Sequence, residues 1–258
     1  MEGVGQAIIL GIVEGLTEFL PVSSTGHMIL TAELLGMEHS NFLKTFEISI
    51  QLGAILAVVI LYWHILTKNV AMLKKIIIAF IPTGVLGFAF YGIVKEYLLG
   101  SSTVVLWALL GGGIALIVLE ILLKKKEPST MSLEEISYKQ SLLIGLAQSL
   151  AMIPGVSRSA ATIMGGLFLR IDREAVVVFS FLLAIPTMGA ATAYDLFKGG
   201  FQITPQEFWF LAVGFVVSFI VAIAAIKFFL RFIRTHTFIP FGVYRIALFV
   251  VWVYFLGI

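Results

Sequence analysis

Two acidic residues, Glu14 and Glu18, stand four residues apart in an otherwise apolar stretch near the N-terminus. On a helix, that spacing puts both carboxylates on one face, about one turn apart. Such a pair can hold a cation, or one carboxyl can keep its proton and act as an acid or base. Oxygen ligands favour Mg²⁺ or Ca²⁺ over zinc. We therefore predict a divalent metal site at Glu14 and Glu18. Hydrogen-bonded structural carboxyls are the alternative.

The next segment, PVSSTGH at 21–27, supplies hydroxyl groups and an imidazole where a helix should begin. A helix N-terminus attracts phosphate through its free N–H groups, and a hydroxyl or imidazole held there could attack phosphorus. Ser23, Ser24, Thr25 and His27 are therefore candidate substrate-binding and catalytic residues. The alternative for the serines is helix capping, and for the histidine a structural role.

A second segment, PGVSRSAAT at 154–162, again places glycine and serine before a helix start and adds Arg158. A guanidinium group binds phosphate oxygens in a bidentate manner and stays charged at ordinary pH. Arg158 is predicted to stabilise the charge that develops during phosphoryl transfer. The alternative is a structural ion pair with Glu14 or Glu18, and both roles can coexist.

The two segments look like copies of one another, at a constant offset of 134 residues. Composition indicates what surrounds them: the chain of 258 residues is 60% hydrophobic and 12% charged, with a mean hydropathy of +1.06. These values indicate an all-α polytopic membrane protein, since a barrel would show short alternating segments. Six full spans are predicted, at 46–66, 76–94, 102–123, 174–196, 207–230 and 239–258.

Two apolar regions remain, 4–35 and 140–169, and each is interrupted by Pro, Ser or Gly. Each is predicted to be a re-entrant helical hairpin, because backbone exposed at membrane depth persists only where protein buries it or water lines it. Three spans following each hairpin would make the two halves an inverted repeat. The tips of both hairpins are then expected to converge on one polar cavity.

The distribution of the 17 Lys and Arg residues supports this topology. One side of the predicted membrane has only Lys44, Lys95 and Lys198, and the richer side is assigned to the cytoplasm. Both termini are then extracytoplasmic. We predict one membrane domain, 1–258, with halves 1–123 and 139–258 joined by a cytoplasmic loop, 124–138. Cysteine is absent, so there are no disulfides or thiolate nucleophiles, and no basic aromatic groove suggests nucleic-acid binding.

The segments EGLTEFLPVSSTGH at 14–27 and PGVSRSAAT at 154–162 resemble the two signature motifs of the bacterial undecaprenyl-diphosphate phosphatase family, the bacitracin-resistance phosphatases. The similarity runs nearly end to end and includes FEISIQ at 46–51 and FIPFGVYR at 238–245. It implies Mg²⁺- or Ca²⁺-dependent removal of the terminal phosphate from undecaprenyl diphosphate. That reaction recycles the lipid carrier for cell-wall synthesis in the bacterial inner membrane.

Carried onto this chain, the resemblance implies that Glu14 and Glu18 are the acidic pair and Ser23, Ser24 and His27 the nucleophile region. Ser24 is favoured as nucleophile, with Glu18 or His27 as base; attack by His27 or directly by water are the rivals. Phosphate contacts are implied for Ser157, Arg158 and Thr162, and we add Thr25, Gly155 and Ser159 as substrate-binding candidates. Glu47 and Gln51 could complete the polar cavity, whereas Glu120, Asp195 and Arg245 are interpreted as structural.

A different function class remains open, because inverted repeats with broken helices are also typical of secondary transporters and lipid translocators. The cluster of a nucleophile and a base favours the phosphatase. Expected partners are the isoprenoid diphosphate, membrane lipids, and bacitracin, which would compete by binding the substrate. We also expect a homodimer and an active site that opens to the extracytoplasmic side.

Overall fold

The computed structural model describes residues 3–37, 40–94, 98, 101–124, 130–199 and 204–256. In that part of the chain all regular elements are helical. The helices are α1 Val4–Thr17, α2 Ser24–Leu34, α3 Asn41–Leu61, α4 Trp63–Lys68, α5 Val70–Ile93, α6 Ser102–Lys124, α7 Tyr138–Gln148, α8 Arg158–Phe168, α9 Arg173–Gly199, α10 Pro205–Ile233 and α11 Ile239–Leu256. A short 3₁₀ helix, Ser149–Met152, follows α7. The predicted all-α class is confirmed.

Among the described residues, five helices are long and apolar enough to cross a membrane, as in a polytopic membrane protein. They are Phe42–Leu61, Val70–Phe90, Ser102–Lys124, Arg173–Tyr194 and Pro205–Ile233. The predicted span 46–66 is interrupted, because α3 ends at Leu61 and α4 begins at Trp63. The sixth predicted span coincides with α11, a shorter apolar helix, and its last two residues lie outside the described part.

Both interrupted regions have the helix, break, helix pattern that their prolines predict. The first break, residues 18–23, separates α1 from α2, and the second break, residues 153–157, separates the 3₁₀ helix from α8. Ser23 and Ser157 end the two breaks with positive φ angles of 72° and 76°. Proline cannot donate a helical hydrogen bond and a left-handed residue stops the helix, so each new helix begins one residue later.

Each interrupted region packs against a candidate span distant in sequence. Helix α1 packs against α10, and α7 packs against α5. Small residues allow this close approach: a Cβ on Gly11 would contact the Gly214 carbonyl of α10, and one on Gly145 would clash with the Ala79 backbone of α5. As a result, the two breaks are brought together in the interior. Division into halves at 1–123 and 139–258 within one domain stays a prediction.

Away from the breaks, an ion pair joins Glu120 of α6, which is buried, to Arg173 at the start of α9. Arg173 donates from Nη1 and Nη2 to the two carboxylate oxygens of Glu120, at 2.8 and 2.7 Å. The Phe238 amide donates to the same carboxylate at 2.8 Å. These three hydrogen bonds join α6 to α9 and to the residue just before α11, which fits the structural role expected of Glu120. Asp195, also interpreted as structural from the sequence, has a side chain outside the described part.

Candidate active site

Glu18, in the first break, is the residue that connects the two broken regions. Ser24 Oγ donates to Glu18 Oε2 at 2.5 Å. Arg158 Nη2 donates to Glu18 Oε1 at 2.9 Å and forms a salt bridge with it. Glu18 and Ser24 are buried, and the Arg158 side chain is 10% exposed. A hydroxyl, a carboxylate and a guanidinium predicted from two distant segments therefore form one cluster.

Arg158 is held on its other side by α9. Its Nη1 donates to the Ser180 carbonyl at 2.9 Å and to Ser180 Oγ at 3.2 Å, and its guanidinium carbon lies 5.5 Å from the centre of the Phe19 ring. Ser180 Oγ in turn pairs with Thr162 Oγ1 at 2.6 Å. The guanidinium is thus fixed in direction, and its Nε is a buried donor without a partner among the described residues.

The helices α2 and α8 begin with the same cap. Ser23 Oγ accepts from the Gly26 amide at 3.4 Å, and Ser157 Oγ accepts from the Ala160 amide at 3.2 Å. Each cap satisfies one of the free N–H groups at a helix N-terminus. Ser24 and Arg158 are the first residues of their helices, so both sit where the N-terminal dipole favours an anion.

A cavity of about 510 Å³ opens beside this cluster. Its polar end is formed by residues of the two breaks, of the first turns of α2 and α8, and of α3: Glu18, Ser23, Ser24, Thr25, Gln51, Gly155, Ser157 and Arg158. Its apolar walls come from α5 and α9 and include Phe80, Gly84, Phe88, Met188 and Ala191. Such a cavity can hold an anionic headgroup at one end and a hydrocarbon chain at the other.

Five predicted site residues do not line this cavity: Glu14, His27, Glu47, Ser159 and Thr162. His27 Nδ1 contacts the Ser23 carbonyl at 2.8 Å, and its Nε2 contacts the Tyr244 hydroxyl at 2.6 Å. Ser159 Oγ donates to the Leu20 carbonyl at 2.7 Å, and Thr162 is buried against Ser180. Both ring nitrogens of His27 are therefore engaged away from Ser24. Ser159 and Thr162 brace the breaks rather than face the cavity.

In the predicted acidic pair of Glu14 and Glu18, the surroundings of Glu14 suit a bound cation. Both carboxylate oxygens of Glu14 are buried and have no hydrogen-bond partner among the described residues. A bare buried carboxylate is costly unless it is protonated or bound to a cation. The described residues hold no group of three or more His, Cys, Asp or Glu at ligand distance. A bound ion would thus depend on two carboxylates plus phosphate or water, as Mg²⁺ commonly does.

Glu47 and Gln51, the second pair of polar residues four positions apart, differ in their relation to the cavity. Gln51 lines the cavity, whereas Glu47 does not. Gln148, which the duplication aligns with Glu14, also lines it and donates from Nε2 to Thr83 and Thr187 at 2.9 and 3.0 Å. These two hydrogen bonds connect α7 to α5 and α9, the helices that form the apolar walls.

Sequence reasoning missed several residues that organise the site. Ser180 was hidden in the apolar run of α9, where an isolated serine was the only signal. Tyr244 and Arg245 lie on α11, more than 200 residues from the first break; the sequence indicated a structural role for Arg245 but not its partners. The sequence offered the run FIPFGVYR at 238–245 as similar to the family but no partner for its polar residues. Their roles depend on contacts that only the folded chain creates.

Fold and site together define a class: a polytopic helical membrane protein with a buried cluster of acid, serine and arginine at the head of a cavity that is polar at one end and apolar along its walls. The model of the family described as bacitracin resistance protein BacA matches residues 7–251. The chain belongs to this family, which confirms the resemblance seen in the sequence.

The curated relatives share the full length of the chain. It is 55% identical to the undecaprenyl-diphosphatase of Wolinella succinogenes over 253 residues, 98% of each chain. It is 50% identical to the undecaprenyl-diphosphatase of Aquifex aeolicus over 243 residues, 94% of each chain. A third, from Sulfurihydrogenibium sp., is 53% identical over 244 residues, 94% of this chain and 95% of the relative. These names favour a hydrolase over a transporter or translocator.

Proposed function

We propose that this chain hydrolyses undecaprenyl diphosphate to undecaprenyl phosphate and inorganic phosphate. The reaction would recycle the lipid carrier for cell-wall synthesis and thereby support bacitracin resistance. The observation that carries the proposal is the contact of Glu18 with both Ser24 and Arg158 at the polar end of the cavity. Family membership and identities of 50–55% to relatives named undecaprenyl-diphosphatase support the same activity.

Ser24 is the proposed nucleophile. Glu18 accepts its proton through the existing hydrogen bond as Ser24 Oγ attacks the terminal phosphorus. The bond between that phosphorus and the bridging oxygen breaks, and undecaprenyl phosphate leaves with the proton that Glu18 took from Ser24. Water then attacks the phosphoserine and gives a proton to the Glu18 carboxylate, and Glu18 returns that proton to Ser24 Oγ as inorganic phosphate leaves. Each step conserves the atoms of substrate and water.

Arg158, which lines the cavity, is proposed to bind the phosphoryl oxygens, with its guanidinium held in place by Glu18 and Ser180. The positive end of α2 and α8 adds to the stabilisation of developing negative charge. Ser23, Thr25, Gly155 and Ser157 are proposed to contact the headgroup from the cavity wall. Ser159 and Thr162, proposed from the sequence as substrate contacts, would act through the braces they form.

Mg²⁺ or Ca²⁺ is proposed to be held by Glu14, whose two oxygens lack hydrogen-bond partners in the described part of the chain, with Glu18 beside it. When bound, the ion would neutralise phosphate charge and lower the barrier to attack. Gln51, on the cavity wall, would contact the headgroup or its water, and Glu47 would lie one layer further out.

The proposed membrane arrangement has six spans, with α11 as the sixth, and two re-entrant hairpins related as an inverted repeat. The protein would lie in the bacterial inner membrane with both termini extracytoplasmic and the cavity open to that side. An impermeant substrate analogue added to oriented vesicles tests the last point. Hydrolysis from the extracytoplasmic face alone is expected, and hydrolysis from the cytoplasmic face alone contradicts it. Sequestration of the substrate by bacitracin and a homodimer stay predictions.

The decisive test is phosphate release from a long-chain isoprenyl diphosphate by the purified protein, with and without divalent metal. We expect turnover that a chelator abolishes. A phosphoenzyme trapped by rapid acid quench identifies the attacking group: a phosphoserine survives acid, whereas a phosphohistidine does not. An acid-labile product would transfer the nucleophilic role to His27, and trapping neither would favour direct attack by water. Absence of phosphate release would contradict the proposal.

A further inference from the structure

Arg245, on α11, is a fully buried cation that contacts both breaks. Its Nη1 donates to the Pro21 carbonyl at 3.3 Å and to the Val156 carbonyl at 2.9 Å. Its Nη2 donates to the Gly155 carbonyl at 2.8 Å. One side chain therefore joins the segment three residues before Ser24 to the segment just before Arg158.

The rest of the guanidinium is also occupied. Nε donates to the Leu109 carbonyl at 3.2 Å, and Nη2 donates to the Ala108 carbonyl at 2.8 Å, both on α6. A guanidinium has five N–H donors, and here five main-chain carbonyls accept five hydrogen bonds. No donor remains for a phosphate, whereas Arg158 lines the cavity and its Nε has no hydrogen-bond partner among the described residues. Arg245 is therefore built to organise the site and not to bind substrate.

The position is specific for a long, flat cation. A Cβ on Gly112 of α6 would clash with the Arg245 guanidinium, whereas a Cβ on the adjacent Gly111 would meet nothing within 4 Å. The breaks expose carbonyls that no helix satisfies, and buried carbonyls require a donor. Gly112 leaves the space in which one side chain supplies donors to both breaks.

We propose that Arg245 is a positioning residue for phosphate release: by holding Pro21 and the Gly155–Val156 carbonyls, it sets the separation between Ser24 and Arg158. This inference rests on the proposed function, because it assigns a consequence for turnover. The positional part can be measured without any turnover.

The first test replaces Arg245 with Lys and with Gln and measures kcat and KM on protein shown to be folded by size exclusion and thermal unfolding. Lys has three donors at a single point and cannot reach carbonyls on opposite sides. We expect kcat to fall about a hundredfold, because small misplacement of reacting groups has effects of this size. KM should change less than about threefold, since the cavity walls are intact. A loss confined to KM, or kcat of the folded protein within about twofold, overturns the proposal.

The second test uses adjacent glycines as a matched pair. Gly112→Ala should lower kcat about tenfold by displacing the guanidinium, and Gly111→Ala should leave it within about twofold. In an Arg245→Gln background, Gly112→Ala should add little further loss, because the group it displaces is gone. Additive losses would mean that the two positions act independently and would overturn the proposal.

The third test measures position directly. The chain has no cysteine, so Leu20→Cys and Ile153→Cys can carry spin labels within the two breaks. Arg245→Gln should broaden or shift the distance distribution, and an unchanged distribution overturns the proposal. If the unsubstituted chain releases no phosphate while this distance responds, the proposed function fails and the positional role stands. If phosphate is released but neither the distance nor kcat responds, the positional role fails alone.

Discussion

The two breaks have nearly the same backbone and different side chains. Ser23 has φ 72° and ψ 92°, and Ser157, 134 residues later, has φ 76° and ψ 118°. In both, the serine oxygen accepts from the amide three residues on. A non-glycine residue with positive φ is strained, so its appearance at equivalent positions reflects a shared local structure that the surrounding fold maintains.

The side chains at equivalent positions divide the chemistry. Where the first break region has Glu14, Glu18, Ser24 and His27, the second has Gln148, Met152, Arg158 and Ala161. The first supplies the acid and the hydroxyl, and the second supplies the cation. The two regions thus share a scaffold, which consists of the break, the serine cap and the helix N-terminus. The reactive cluster depends on the positions at which the copies differ.

Removing the Ser24 hydroxyl, whose position is occupied by arginine in the second region, should lower turnover the most. Ser24→Ala is expected to lower kcat by about 10⁴-fold or more, because the attacking atom is lost. The measurement is phosphate release per folded molecule, together with binding of the lipid diphosphate, which should persist. Ser141→Ala is a matched control: it removes a buried hydroxyl on α7 and introduces the alanine found at the equivalent position of the first half. Turnover by Ser24→Ala within tenfold of the unsubstituted protein would contradict nucleophilic attack by Ser24.

Replacing the cation that is unique to the second break should have the next largest effect. Arg158→Ser installs the residue of the first break and is expected to lower kcat about 10³-fold, because the charge facing the phosphoryl oxygens is lost. Arg158→Lys should lower it less, about a hundredfold, since charge is kept but the fork on Glu18 and Ser180 is not. Steady-state kinetics of both variants check the order. Equal activity of Lys and Ser variants would show that charge at this position is unimportant.

Replacing Glu14 with the glutamine found at the equivalent position of the second region should have a smaller effect than the Arg158 variants. Glu14→Gln keeps size and removes the charge, so the metal concentration for half-maximal turnover is expected to rise about tenfold. Titration of Mg²⁺ and Ca²⁺ against phosphate release measures it. An unchanged metal dependence would mean that Glu14 is a structural carboxyl, which was the alternative in the sequence. Glu33→Gln, on α2 outside the cluster, serves as the control for removal of an acid.

Much of this arrangement could be predicted from the sequence, because its signals are local. Proline, glycine and serine in an apolar run predict a broken helix, and an acid or arginine next to the break predicts chemistry. The contacts that hold these residues could not be predicted. His27 lies next to Ser24 in sequence, yet its Nε2 contacts Tyr244 on α11, and Arg158 depends on Ser180 of α9. Long-range partners of this kind follow from helix packing, which one sequence does not specify.

The ends of the spans were less predictable for a related reason. The apolar run through residues 46–66 continues past Leu61, but the helix is interrupted at Tyr62 and resumes at Trp63. Tyr62 is partly buried beside Phe181, with ring centroids 6.5 Å apart. Hydropathy measures how apolar a segment is and carries little information about where tertiary contacts interrupt a helix.

The smallest effect is expected from substitutions of the capping serines, Ser23 and Ser157, which the two breaks share. Ser157→Gly removes the cap but also removes the Cβ that makes a φ of 76° unfavourable, so the two changes oppose each other. The thermal midpoint in detergent should therefore shift by less than about 2 °C, whereas Ser157→Ala, which loses the cap and keeps the strain, should lower it further. Ser23→Gly and Ser23→Ala should follow the same order, because the first break has the same backbone. If KM rises in Ser157→Gly while the midpoint holds, the hydroxyl contacts the headgroup as well as the helix. If Ser157→Gly and Ser157→Ala lower the thermal midpoint equally, the positive φ does not explain why alanine is unfavourable at this position.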